Sequence, residues 1–115
     1  MSESLPARGE IWDVDLDPIK GREQAGRRPA LILSINAFNQ GPAELIVAIP
    51  LTRTDRRIRW HVPVQPPEGG LSDGSFIKCE DLRSLSKSRL FRYRGRVGEA
   101  TLAAVEDRVR ILLGV

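Results

Sequence analysis

Turn-forming residues interrupt this chain so often that only short strands fit between them. Asp17-Pro18, Gly41-Pro42, Pro50 and the run PPEGG at 66–70 each stop an ordered stretch early. Glu10 to Leu16 alternates, with Trp12, Val14 and Leu16 on one face and Ile11, Asp13 and Asp15 on the other, which predicts a half-buried strand with an acidic outer face. Ala30 to Ser34 is apolar with little alternation and reads as a central strand. Glu44 to Ile49 is the next, stopped by Pro50, which lacks an N–H to donate. Ile58 to Val64 alternates again, and Pro63 inside it marks an edge strand. Ser75–Cys79, Leu82–Leu85 and Arg92–Val97 supply the remaining strands, and Asn36–Gln40 a helical turn. Only Glu99 to Leu113 repeats at helical spacing, through Leu102, Val105, Val109 and Leu112, with Gly114 as its stop. Five to seven short strands, short helices and one C-terminal helix predict a mainly β chain folded as a small antiparallel barrel.

At 115 residues the chain is one domain, 1–115, with residues 1–7 expected to be flexible. Nothing approaches the roughly 20 apolar residues that span a bilayer. The opening MSESLPARGE lacks the apolar stretch of a secretory signal, so no membrane partner and a cytoplasmic location are expected. Cys79 is the one cysteine, which excludes an internal disulfide and a cysteine zinc cluster and reads as a small buried residue. Fifteen of the 18 basic side chains are arginine, and net charge is +3. Arg53, Arg56, Arg57 and Arg59 fall within seven residues, and Arg89, Arg92, Arg94 and Arg96 within eight. Clustered guanidinium forks suit phosphate better than ammonium groups do, so a basic surface for nucleic acid is expected.

Familiar chemistries are mostly excluded. His61 is the only histidine, so a two-histidine acid–base mechanism within one subunit cannot operate; the residue reads as structural or solvent-facing. The run from Asp13 to Asp17 resembles the opening of a calcium loop, but Pro18 stands where a turn glycine belongs and Gln24 where a bidentate Glu belongs. No cofactor or metal is expected.

Two polar loops remain. GREQAGRRPALIL, residues 21–33, sets Glu23, Gln24, Arg27 and Arg28 against a buried strand, and Pro29 limits the freedom of Arg28. The loop after Pro50 offers Thr52, Arg53, Thr54 and Asp55. If the flanking strands are antiparallel neighbours, both loops leave the sheet at one rim. Arg28 then faces Thr52, an Arg fork and a hydroxyl placed over one phosphate.

RGEIWDVDLDP at 8–18, GREQAGRRPALILS at 21–34, IPLT at 49–52 and SFIKCEDLRSL at 75–85 together resemble the MazF/PemK family of type II toxin–antitoxin endoribonucleases. The resemblance implies an SH3-like barrel, a homodimer, an acidic MazE-like antitoxin partner, and metal-independent, sequence-selective cleavage of single-stranded RNA. It assigns catalysis to Arg28 and Thr52, with Glu23 either the general base or a partner that orients Arg28. Gln24 matches the family's loop amide, and Arg27 reads as a phosphate contact or a solvated side chain. Arg53, Arg56, Arg57, Asp81 and Arg83 complete the expected substrate-binding set. Asp81 stands where the family's E-Q-I-R segment carries Gln, so the family's base preference is not carried over to this chain. The competing expectation is a toxin of the same barrel that inhibits a protein such as DNA gyrase without cutting RNA.

Overall fold

The computed structural model describes residues 5–16 and 26–115. Seven strands, β1 (Glu10–Asp15), β2 (Arg27–Ile32), β3 (Leu45–Thr52), β4 (His61–Val64), β5 (Ser75–Lys78), β6 (Arg83–Ser86) and β7 (Leu90–Arg96), form one antiparallel sheet. Its order is β4-β5-β3-β2-β1-β7, with β6 also paired to β3. The short helix α1 (Asn36–Asn39) falls where the helical turn is expected.

The sheet curls, so its central strands are covered on both sides. Ile11, Leu31, Ile49 and Leu51 pack with Val62, Val64 and Ile77 and with Val105 and Val109 of the C-terminal helix. On the other face Val14, Leu16, Ala30, Ile32, Ile46 and Ala48 form a second core beneath Trp12, Leu85 and Leu90. Burial on both faces is why β2 does not alternate. It also corrects the expectation of an acidic outer face on β1. Ile11 lies in the main core, and Asp13 is only 9% exposed.

The expected stop at Pro50 is likewise corrected, because β3 continues to Thr52. On one edge β3 pairs with β6 as far as Ala48 and with β5 from Leu51 onward. Pro50 falls in the step between those partners, where a missing N–H breaks no ladder bond on that edge. Strand β4 starts at His61, three residues later than its alternation suggested; it is an edge strand, with Pro63 exposed as expected.

The two ends of the strand path, β4 and β7, share no ladder. Backbone contact brings them together instead. The turn Glu68–Gly70 rests on β7 so closely that a Cβ on Gly95 would lie 2.6 Å from the Gly70 nitrogen. Gly70 itself sits at φ +68, and a Cβ there would lie 2.5 Å from the Arg94 carbonyl carbon. Leu71, which follows directly, is buried in the main core.

Helix α2 (Glu99–Leu113) has the expected bounds. Val105 and Val109 are buried and Leu102 and Leu112 pack beside them. Gly98 at its N-terminus has no side chain to cap the helix; the Glu68 carboxylate accepts the Gly98 N–H at 2.9 Å instead. Gly114 adopts φ 73 at the C-terminus and donates to the Arg110 carbonyl at 2.8 Å.

Candidate active site

Strands β2 and β3 are antiparallel neighbours in the register Ala30↔Pro50 and Leu31↔Ile49. Carried two residues further, that register sets Arg28 opposite Thr52. Both line a cleft of 190 Å³ at the rim of the sheet, together with Arg27, Arg53 and Arg94. The opposite wall is the segment Leu71–Asp73 with Ser75. It is held there by the glycine contact with β7 and by the Ser75 hydroxyl, which donates to the Asp73 carbonyl at 3.0 Å.

The four arginines differ in how they are held. Arg94 is anchored, donating to Asp13 Oδ1 at 3.1 Å and to the Gly70 carbonyl at 3.2 Å. Arg53 meets Asp73 at 3.4 Å, but both side chains are exposed, so water screens the pair. The Arg27 guanidinium lies over the Phe91 ring at 4.5 Å. Arg28 is half-buried, and its guanidinium has no hydrogen bond or ion pair among the described residues. Thr52 Oγ1 accepts the Thr54 N–H at 3.2 Å, which leaves the hydroxyl proton to donate into the cleft. A guanidinium with no side-chain partner among the described residues and a hydroxyl donor, with three more arginines around them, form a cleft chemically suited to an anion.

Not every expected site residue is here. Glu23 and Gln24 lie outside the described residues. Arg56 and Arg57 are exposed on the loop after β3 and do not line the cleft. Asp81 and Arg83 are also outside it; Arg83 donates to Asp81 Oδ1 at 2.8 Å, and Lys78 lies 3.7 Å from the same carboxylate. Sequence reasoning missed Arg94 and the Leu71–Asp73 wall as cleft residues. Asp13, set aside above as one of a possible calcium-loop run, is the group that holds Arg94. It also meets Arg92 Nε at 3.0 Å, so two arginines occupy its carboxylate.

The remaining reactive side chains are structural. His61 is buried, with Nε2 2.9 Å from Glu80 Oε2, which corrects the solvent-facing alternative. Burial pushes the Cys79 thiol from an ordinary 9.0 up to about 11, and the neighbouring Glu80 carboxylate adds to the shift. Folding therefore holds the neutral thiol, and its contribution to stability fades as pH climbs from 9.0 toward 11. Iodoacetamide at pH 8 should alkylate Cys79 at least roughly 100-fold more slowly in the native protein than in urea, because both thiolate fraction and access are lost. Equal rates in the two states would show the thiol to be open.

Residues 7–113 match the family described as PemK-like, MazF-like toxin of type II toxin–antitoxin system. Endoribonuclease MazF9 of Mycobacterium tuberculosis is 33% identical over 111 residues, covering 92% of this chain and 94% of that protein. Endoribonuclease MazF of Staphylococcus epidermidis is 30% identical over 109 residues, covering 94% of this chain and 91% of its own. The crystal structure of MazF from Deinococcus radiodurans superposes with a TM-score of 0.87 at 31% identity, over 98% of this chain and 100% of that one. A MazE–MazF structure from the same organism superposes at 0.82 with 30% identity, over 98% and 99%.

Proposed function

The chain belongs to the PemK-like, MazF-like toxins of type II toxin–antitoxin systems, and we propose that it is an endoribonuclease that cuts single-stranded RNA at the Arg28–Thr52 cleft. The observation that carries this reading is the Arg28 guanidinium, without a side-chain partner among the described residues and set opposite Thr52 in a cleft with three further arginines. The ribose 2′-oxygen attacks the adjacent phosphorus and loses its proton. The bond from phosphorus to the 5′-oxygen breaks, and that oxygen leaves with its electron pair and takes up a proton. The products are a 2′,3′-cyclic phosphate and a 5′-hydroxyl. Arg28 meets the charge that builds on the phosphoryl oxygens and Thr52 donates a hydrogen bond to it. Arg28 is proposed to act by electrostatics, its planar fork carrying donors and no acceptor, and Glu23 is proposed as the base.

The reaction is proposed to need no metal. Asp13 is committed to Arg92 and Arg94, and no three metal-ligating side chains gather among the described residues. Purified protein incubated with RNA in EDTA should yield fragments whose 5′ ends accept phosphate from polynucleotide kinase directly. Fragments bearing 5′-phosphate, or cleavage that EDTA abolishes and magnesium restores, would refute this chemistry. The gyrase-inhibitor alternative gains no support from two curated relatives that are both endoribonucleases.

Two partners follow from the same reading. A second copy of the chain is proposed to cover the apolar groove between α2 and the β2–β3 connection, lined by Leu33, Val47, Leu82 and Val109. Ile35 and Leu113 stand exposed in it at 61% and 59%. Light scattering should give about twice 12.8 kDa at micromolar concentration, and a monomer mass there overturns the dimer. An acidic antitoxin tail is proposed to lie on Arg53, Arg56 and Arg57 and to exclude RNA. We place this pairing in the cytoplasm, with the RNA; no described helix is long and apolar enough to cross a membrane.

A further inference from the structure

Strand β7 carries two irregularities, and both aim a side chain at the cleft side of the sheet. Ile11 and Trp12 are consecutive on β1, but their β7 partners are Gly95 and Tyr93, which leaves Arg94 as an extra residue. Asp13 pairs with Arg92 and Val14 with Leu90, which leaves Phe91 extra in the same way. A bulge of this kind lets neighbouring side chains share a face instead of alternating. Arg92 and Arg94 both reach Asp13. Phe91 lies under Arg27, which lines the cleft. Leu90 and Tyr93 point the other way, Leu90 into the second core and Tyr93 against Trp12, with ring centroids 5.7 Å apart.

Phe91 is 45% exposed although the Arg27 guanidinium lies over its ring. An aromatic left open on an edge strand costs solubility and adds nothing to either core. Stacked guanidinium and phenyl planes are what an unpaired nucleobase prefers to lie against, because every base has a π-face. We propose that Arg27 and Phe91 form a stacking shelf for the base of a nucleotide flanking the scissile phosphate. The inference rests on the endoribonuclease reading and gives Arg27 a role beyond contact with phosphate. The shelf grips a base without reading its hydrogen-bonding edge, so it fixes the register of the strand while leaving sequence choice to other groups.

The test first maps the cleavage position in RNA with the wild-type protein, then uses an all-2′-deoxy oligonucleotide of that sequence as an uncleavable probe in fluorescence anisotropy. Phe91→Ala and the volume-keeping Phe91→Leu should each weaken binding roughly 10-fold or more, while Phe91→Trp retains it. The dependence of affinity on salt should stay the same for all three, since no phosphate contact is removed. An abasic residue at one position beside the cleavage site should weaken wild-type binding to the same degree and leave Phe91→Ala no further loss. Tyr93→Ala, on the same strand and similarly exposed at 49%, should bind the probe as the wild type does. Unimpaired binding by Phe91→Ala and Phe91→Leu, or a loss that persists with every abasic probe, overturns the shelf alone. A wild type that cleaves no RNA overturns the reading beneath it as well.

Discussion

Replacing Arg28 by Lys should lower single-turnover cleavage of RNA by roughly 100-fold to 1,000-fold while RNA affinity changes little. The magnitude is that of removing one preorganised donor aimed at developing charge. Lysine keeps the positive charge but offers a point where the guanidinium offers a planar fork of parallel donors. Ground-state RNA already carries its phosphate charge and feels the lysine nearly as well. The transition state needs both the charge and the directed hydrogen bonds, so the loss falls on turnover. Arg28 has no partner among the described residues that a substitution could release or strand, so the variant should melt within a few degrees of the wild type. Thr52→Ala should show the same division, since its hydroxyl proton is the second donor in the cleft. Arg56→Ala provides the contrast: exposed and outside the cleft, it should weaken binding with a shallower salt dependence and leave turnover of bound RNA intact. The measurement is cleavage of a fluorogenic RNA at saturating protein beside binding of an uncleavable 2′-deoxy analogue. If Arg28→Lys cleaves at the wild-type rate under saturation, Arg28 only docks the strand.

The sequence carried this pair openly for a physical reason. Arg28 and Thr52 stand at the ends of two largely apolar runs, RPALIL and LIVAIPLT, whose burial fixes them as adjacent strands. Helix α2 was equally legible, because its periodicity and its Gly114 stop are local to fifteen residues and one cap. What escaped depends on neighbours far along the chain. Pro50 read as a stop because a lone strand gives no hint that its edge partner changes from β6 to β5 there. Asp13 read as exposed because the arginines that occupy it arrive from β7, about 80 residues later. The bulges at Phe91 and Arg94 exist only relative to β1; along the chain Arg92, Arg94 and Arg96 look like one regular charged face. The far wall of the cleft escaped for the same reason, since two glycines of different turns and strands must meet to place it.

That wall leads to the largest expected effect on stability. Gly70→Ala should destabilise the fold by about 3 kcal/mol, combining roughly 1–3 kcal/mol for forcing a methyl group into packed backbone with about 1 kcal/mol for holding a non-glycine residue at positive φ. The new Cβ would meet the Arg94 carbonyl carbon at 2.5 Å and the Gly95 nitrogen at 3.2 Å. These are main-chain atoms of a paired strand, so no flexible side chain can swing aside. Gly114→Ala separates the two contributions. Its φ of +73 nearly equals the +68 of Gly70, but a Cβ there meets nothing within 4 Å. It should therefore cost only the backbone share, roughly 1 kcal/mol. Urea denaturation of both variants gives the difference directly, and equal losses would show that β7 yields easily at Gly70. Cleavage adds a second readout. Gly70 accepts a hydrogen bond from Arg94 and leads into Leu71–Asp73, so pushing the turn off β7 shifts one arginine and one wall of the cleft together. Gly70→Ala should lose turnover at temperatures where it is still folded, whereas Gly114→Ala, at the far end of α2, should cut RNA at the wild-type rate until it melts.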